Sequence, residues 1–525
     1  MRQHAAAWRV APRPALAESA VAAAVPDAVQ RPSGRLHRVE SSVDASVLWP
    51  VAFIAVHIPL ALAMERYSPT VTTLHAWLTL AVGVWVALSG RLERVAMVVG
   101  YIVGAEVLWR MTDAQTPWEY GKYAASAVML LALLRTGRLK PPILAIGFFI
   151  LLLPSTILTL SNQPLDVARN QISFNLSGPF ALSVCAWFFA SVRLSSKQLA
   201  RVLMSMVGPA VGIAAVAAFG TFLTSDLVFA DASNLTTSGG FGPNQVSGIL
   251  GLGALVTLML TLDNASGPRM LRMVMAVALV GMTMQSALTF SRGGLYGAAG
   301  SAAVALLFAS RDARLRSKLL PLVATGLIVG NYFVVPYLNA FTGGEIGVRF
   351  LDLTLTGRDR LIRADIALWK DHPILGVGPG EGRFERGMYL ANPDNTVMSV
   401  QPRAIAAHTE FSRLLSEHGT FGLVALLVFI GAAVANLRRA VDARSRAVIA
   451  GLSAWSALFM MSAAMRILAP SFAFGIGFLG AAVPAGEGAT DIVGAAPRVR
   501  SRARRSLRPL TVRQRPTVAD AARVE

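Results

Sequence analysis

The sequence predicts an all-α protein, a polytopic bundle of about 12–14 membrane-spanning helices with one large extramembrane loop between the third-last span and the one before it. Three observations predict this class. The 525 residues are 54% hydrophobic and only 15% charged, less charge than a soluble chain of that length carries. Apolar runs approaching the ~20 residues that a bilayer-crossing helix needs recur along the chain. Examples are "VLWPVAFIAVHIPLALAM" (47–64), "PPILAIGFFILLLPSTILTL" (141–160) and "LARVLMSMVGPAVGIAAVAAFGTF" (199–222). Basic residues collect in alternate short loops, whereas a membrane β-barrel would alternate in strands of about ten residues.

Residues 1–46 are alanine-rich, polar and basic and lack the uninterrupted apolar core of a cleaved signal, so they read as a disordered cytoplasmic tail. Fourteen candidate spans follow, at 47–64, 70–89, 95–110, 121–135, 141–161, 174–192, 199–223, 244–262, 271–290, 294–310, 319–338, 421–436, 447–465 and 468–485. The single cysteine, Cys185, allows no disulfide within the chain and reads as a small buried hydrophobe. With the amino terminus inside, "RLER" (91–94), "RTGRLK" (135–140), "RLSSKQLAR" (193–201), "GPRMLR" (267–272), "RDARLRSK" (311–318) and "RRAVDARSR" (438–446) all face the cytoplasm with both tails. Shifting the count by one span destroys that agreement. Residues 486–525 are arginine-rich and read as a second disordered cytoplasmic tail, lying on anionic lipid and not on nucleic acid. The net charge of +19 therefore reports topology more than partner. The chain divides into the tail 1–46, a transmembrane bundle 47–338, an outer loop 339–420, carboxy-terminal spans 421–485 and the tail 486–525.

The outer side receives "SNQPLDVARNQISFN" (161–175), "SDLVFADASNLTTSGGFGPNQ" (225–245), the tight turn "FSRGGL" (290–295) and the long loop. Within that loop, "GRDRLIRADIALWKDH" (357–372) places Leu361, Ile362, Ile366 and Trp369 at helical spacing. "HTEFSRLLSEHG" (408–419) does the same for Phe411, Leu414 and Leu415, and Gly419 is a helix stop. "GVGPGEG" (376–382) lacks the lysine and the serine or threonine of a P-loop. It reads as a tight loop, with a backbone-amide cradle for a phosphate as the alternative.

Candidate functional residues concentrate on this side. Arg292 sits between two apolar runs, where a guanidinium must be paired, wet or snorkelling. Arg358 lies with Arg360 and Arg363 on a helix that could equally present a solvated face. His408 stands just before the last helix into the membrane, where a capping or surface histidine is the alternative. Glu106 and Arg110 are four apart near the outer end of one span, predicting a local ion pair, or else part of a groove for sugar hydroxyls. Lys122, Arg349 and Arg466 are further basic candidates, and Trp369 and Tyr389 could stack on sugar rings.

Taken together, "SRGG", "GRDRLIRADIALWKDHPILGVGPGEGRF" and "AHTEFSRLLSEHGTFG" resemble the bacterial O-antigen ligase and polymerase superfamily over roughly 240–435. The family's histidine, a polar residue, nine residues and Gly-x-x-Gly are matched by His408, Thr409 and Gly419-Thr420-Phe421-Gly422. Thr409 stands where the family has Asn, Ser or Gln. Gly293, Gly294, Trp369, Asp371, His372, Pro373, Gly376 and Gly378 complete the pattern. The resemblance implies a GT-C-like fold in the bacterial inner membrane and a periplasmic active site. It implies transfer of a glycan from a polyprenyl-diphosphate carrier to a hydroxyl of lipid A core, a carrier-linked glycan or a protein, with inversion and without metal or cofactor. His408, Arg292 and Arg358 would be catalytic. Arg349, Arg360, Arg363, Glu410 and Trp369 would bind diphosphate or sugar, and the motif glycines, Gly419 and Gly422 among them, with Asp371, His372 and Pro373 would shape the backbone. The open alternatives are a repeat-unit polymerase, a protein O-oligosaccharyltransferase and, from another class, a lipid-linked oligosaccharide flippase.

Overall fold

The computed structural model describes residues 45–225, 227–230, 232–263, 268–352, 358–390 and 405–479. Apart from Ala45 and Ser46, both tails lie outside them. Among the described residues there are helices and loops and no strand. In chain order the helices are α1 (Ala45–Arg66), α2 (Thr70–Leu88), α3 (Leu92–Met111), α4 (Tyr120–Arg135), α5 (Ile143–Ile150), α6 (Thr156–Asn162), α7 (Leu165–Ala190), α8 (Ser196–Leu223), α9 (Pro243–Asp263) and α10 (Arg269–Leu288). They continue as α11 (Arg292–Ala309), α12 (Ala313–Val329), α13 (Val335–Phe341), α14 (Glu345–Leu351), α15 (Arg358–Asp371), α16 (Gly382–Glu385), α17 (Glu410–Arg439), α18 (Ala443–Ser462) and α19 (Ala469–Ile476). Eight described helices are long and apolar enough to cross a membrane by length and composition.

Several expected spans differ from the observed ones. The run at 141–161 is broken into α5 and α6 around Pro154, and Ser155 in the break hydrogen-bonds the buried His418 of α17. The span placed at 468–485 is the eight-residue α19, wholly buried in the bundle, and 480–485 lie outside the described residues. Helix α7 starts nine residues before the expected 174, because Gln171 and Asn175 are buried against the glycine loop at 376–382. Between α12 and α13 the chain makes a π-helical turn at Gly330–Val334.

The contacts group the loops as the charge pattern predicts. At one end Arg201 pairs with Glu93, and Arg138 bonds the Ser191 carbonyl. At the other, Ser68 bonds the Thr112 carbonyl, Arg110 reaches Gln245 and the Arg466 carbonyl, and Asn234 bonds Thr289. The second end carries the long loop and the candidate residues.

Small residues let the helices approach closely. A Cβ on Gly100 or Gly104 of α3 would collide with the Val202 or Met206 carbonyl of α8. The tightest such approach is at Gly294 of α11, where a Cβ would stand 1.9 Å from the Ser247 carbonyl oxygen of α9. Gly294→Ala must push these helices apart, and overpacking of this kind costs about 1–3 kcal/mol. Gly281→Ala on α10, where the added carbon meets nothing within 4 Å, is expected to be nearly neutral. Thermal unfolding in one detergent checks the contrast, and equal melting temperatures would refute it.

Candidate active site

The site begins with a strained turn. Phe290, fully buried, has φ of +56°, a left-handed conformation that a bulky residue adopts only when its surroundings force it. The turn directs the Phe290 carbonyl to the Arg349 guanidinium at 3.1 Å and starts α11 at Arg292. Ser291 is held by Asn244, which accepts its hydroxyl at 2.7 Å, and by Ser247, which donates to its carbonyl. Arg292 bonds the carbonyl of Asp352 and lies 3.6 Å from its carboxylate. Arg358, half-buried at the first residue of α15, has its pKa lowered by withdrawal from water and by the charges of Arg292 and Arg349. Three guanidiniums from α11, α14 and α15 thus face one region, with Asp352 as a counter-charge.

His408 joins this region from the residue pair preceding α17. Its pKa lies below the ordinary histidine value, first because its ring is partly withdrawn from water and then because Arg358 and Arg386 repel the charged form. It is therefore neutral at pH 7, and among the described residues nothing hydrogen-bonds its ring.

Two buried polar networks fix the backbone around His408, and sequence reading missed the residues at their centres. In the first, Arg386 bonds Asp365 at 2.8 Å and the Ile405 carbonyl. Ser412 donates to the other Asp365 oxygen, which leaves the Thr409 hydroxyl to donate to Ser412. Segment 405–409 is thereby clamped to α15. In the second, Arg413 grips Glu410 with two nitrogens and Glu417 with a third, while Asn175 of α7 accepts from it. Glu410 also accepts from the Met465 backbone. The carboxylate of Glu410 is thus enclosed within this network. The signal for this network was the spacing Glu410, Arg413, Glu417, which is one helical face. Phe411, Leu414 and Leu415 drew attention to the apolar face, but both faces are covered here.

The motif glycines serve a joint. At Gly419 the backbone turns to φ +60° and ψ −138°, breaking α17 into two segments. The break strips the Ser416 and Glu417 carbonyls of their helical partners, and the amides of Val377 and Gly378 replace them at 3.0 Å each. The Thr420 amide turns to the Pro373 carbonyl at 2.7 Å. Gly376 and Gly378 hold φ of +65° and +99° to make this approach. "HPILGVG" is therefore the complement of the Gly419 kink, in keeping with the tight loop read from "GVGPGEG". Gly422 lies within the helix, where a Cβ would stand 1.9 Å from the Leu414 carbonyl oxygen.

The remaining candidates separate. Arg363 pairs with Asp359 on an exposed face, and Arg360 is exposed. The Tyr389 hydroxyl donates to Asp371. Trp369 is half-buried, and His372 is exposed. Glu106 and Arg110 form the expected ion pair at 2.7 Å, and buried Lys122 pairs with Glu119.

The same stretch that carries the turn, the three arginines and His408 matches a known family: residues 277–427 fit the family model described as O-antigen ligase. That stretch of the chain is similar to the O-antigen ligase family. No curated protein matches it. The family match runs from α10 into the second segment of α17, so it takes in Arg292, Arg349, Arg358, His408 and the Gly419 joint. This likeness supports a membrane enzyme of the general ligase or polymerase kind.

Proposed function

We propose that this protein transfers a glycan from a polyprenyl diphosphate in the membrane to an acceptor hydroxyl at the outer, periplasmic surface of the bacterial inner membrane. The observation that carries the reading is the grouping of Arg292, Arg349 and Arg358 beside a neutral His408. In the reaction, His408 accepts the acceptor's proton, the freed oxygen attacks the anomeric carbon from one side, and the bond to the carrier diphosphate breaks on the other. Configuration inverts. The departing diphosphate gains charge as the bond breaks, and guanidiniums fixed where that charge develops lower the barrier. Asp352 keeps Arg292 aimed between turnovers.

The decisive experiment supplies purified protein in nanodiscs with a polyprenyl-diphosphate oligosaccharide and a panel of acceptors. Carrier release and the new attachment of the glycan are followed together. Transfer to lipid A core identifies a ligase, extension of a carrier-linked glycan a polymerase, and modification of a peptide a protein glycosyltransferase. Movement of donor across the bilayer without carrier release would sink the transfer reading in favour of a flippase.

A pH prediction follows from His408. The base works as the neutral imidazole, and its pKa is lowered, so protonation removes activity only below the ordinary histidine value of about 6.5. The acidic limb of kcat/KM is expected below that value, with a plateau above it through neutrality. A limb centred above it would contradict the role.

A further inference from the structure

Where α3 ends and α4 begins lies a cleft of about 150 Å³, walled among others by Arg110, Asp113, Gln115, Thr116, Trp118 and Tyr120. It lies outside the family match and outside the catalytic grouping. We propose that this cleft is a saccharide subsite, seating one sugar ring of the glycan whose diphosphate the arginines hold; the assignment of that glycan rests on the transfer reading above.

The chemistry of the walls selects a neutral, hydroxylated ligand. Trp118 is 51% exposed, although an indole normally gains by burial. Its ring is nevertheless fixed, with the Arg110 guanidinium 5.0 Å from its centre and Phe241 against it at 6.1 Å. A rigid, open aromatic face suits the apolar C–H face of a pyranose. Asp113, Gln115 and Thr116 supply acceptors and donors for its hydroxyls. An anion is disfavoured. The nitrogens of Arg110 are engaged by Gln245, the Arg466 and Trp118 carbonyls and Glu106, while Glu65 stands close enough to Asp113 for their charges to interact. The volume corresponds to roughly five water molecules, room for a ring and not for a chain.

The cleft is built in advance. Asp113 has φ of +52°; it and Phe290 are the two residues other than glycine with positive φ among those described. The Trp109 indole in its wall is locked by a directed chain across three helices. Its N–H donates to His75 Nδ1, His75 Nε2–H to Tyr101, and Tyr101 to His57 Nε2, whose Nδ1–H donates to the Phe53 carbonyl. The cleft is also tied to the reaction centre. Arg110 bonds Gln245, and the adjacent Asn244 accepts from Ser291, the neighbour of Arg292.

Saturation-transfer NMR on the full-length protein in nanodiscs tests this with the methyl glycosides of glucose, galactose, rhamnose and N-acetylglucosamine. At least one glycoside is expected to receive saturation. Trp118→Ala, at a half-exposed site, and Asp113→Asn, which keeps a residue tolerant of left-handed backbone, are each expected to weaken that binding about threefold to tenfold. No saturation of any glycoside by the parent, or undiminished binding in both variants, overturns the subsite. With a lipid-linked donor, Trp118→Ala is expected to raise KM more than it lowers kcat. Full transfer with unchanged KM overturns the subsite and leaves the transfer reading standing. Trp118-dependent glycoside binding in a protein that transfers nothing from any donor upholds the subsite and overturns the transfer reading.

Discussion

His408→Ala is expected to lower kcat for glycan transfer by ~10²–10⁴ while leaving donor affinity nearly unchanged, because general-base catalysis contributes a factor of that size. The residue is exposed and, among the described residues, nothing hydrogen-bonds its ring, so its removal orphans no described buried group and should cost little stability. Arg358→Ala is expected to behave otherwise. It removes charge from the proposed diphosphate site, so both donor affinity and kcat are expected to fall, and it relieves His408 of one of the charges that lower its pKa, so the acidic limb of the residual activity is expected to move up. Donor binding in nanodiscs and single-turnover transfer separate the two effects. If His408→Ala retains the parent's kcat, the base lies elsewhere; if its melting temperature collapses, the residue is structural.

Much of the fold was legible because membranes impose few solutions. Apolar runs and arginine placement located most of the long helices, and loops assigned to a common side do meet in the structure. What failed is informative. The run at 141–161 is apolar enough to span, but Pro154 and the buried Ser155–His418 bond break it, and that partner lies 263 residues away. Arg292 and His408 could be proposed from the sequence because each carries its chemistry in its own side chain. The site was illegible where a role depends on which long-range partner arrives. Asp365 and Arg386 look like ordinary surface charges until the fold closes them on segment 405–409. Phe290 carries no sequence sign of its left-handed backbone.

Arg413 is where the largest loss of stability is expected. Its guanidinium is buried between Glu410 and Glu417, and Asn175 and Met465 complete the network. Removing one partner of a buried ion pair costs about 3–5 kcal/mol, because the remaining charge has neither water nor a counter-ion. Arg413→Ala leaves two carboxylates facing each other, so the protein is expected to lose folded yield or to melt far below the parent. Arg413→Met with Glu410→Gln and Glu417→Gln removes these three charges together and should recover part of that loss, Arg466 then losing two of the carboxylates that favour its charge. Thermal unfolding of the single and triple variants decides the matter. Recovery in the triple variant would identify the network as a scaffold that places His408 through the first segment of α17. A stable triple variant that still transfers no glycan would mean that these charges also take part in the reaction, and a single variant as stable as the parent would show that water already reaches Arg413.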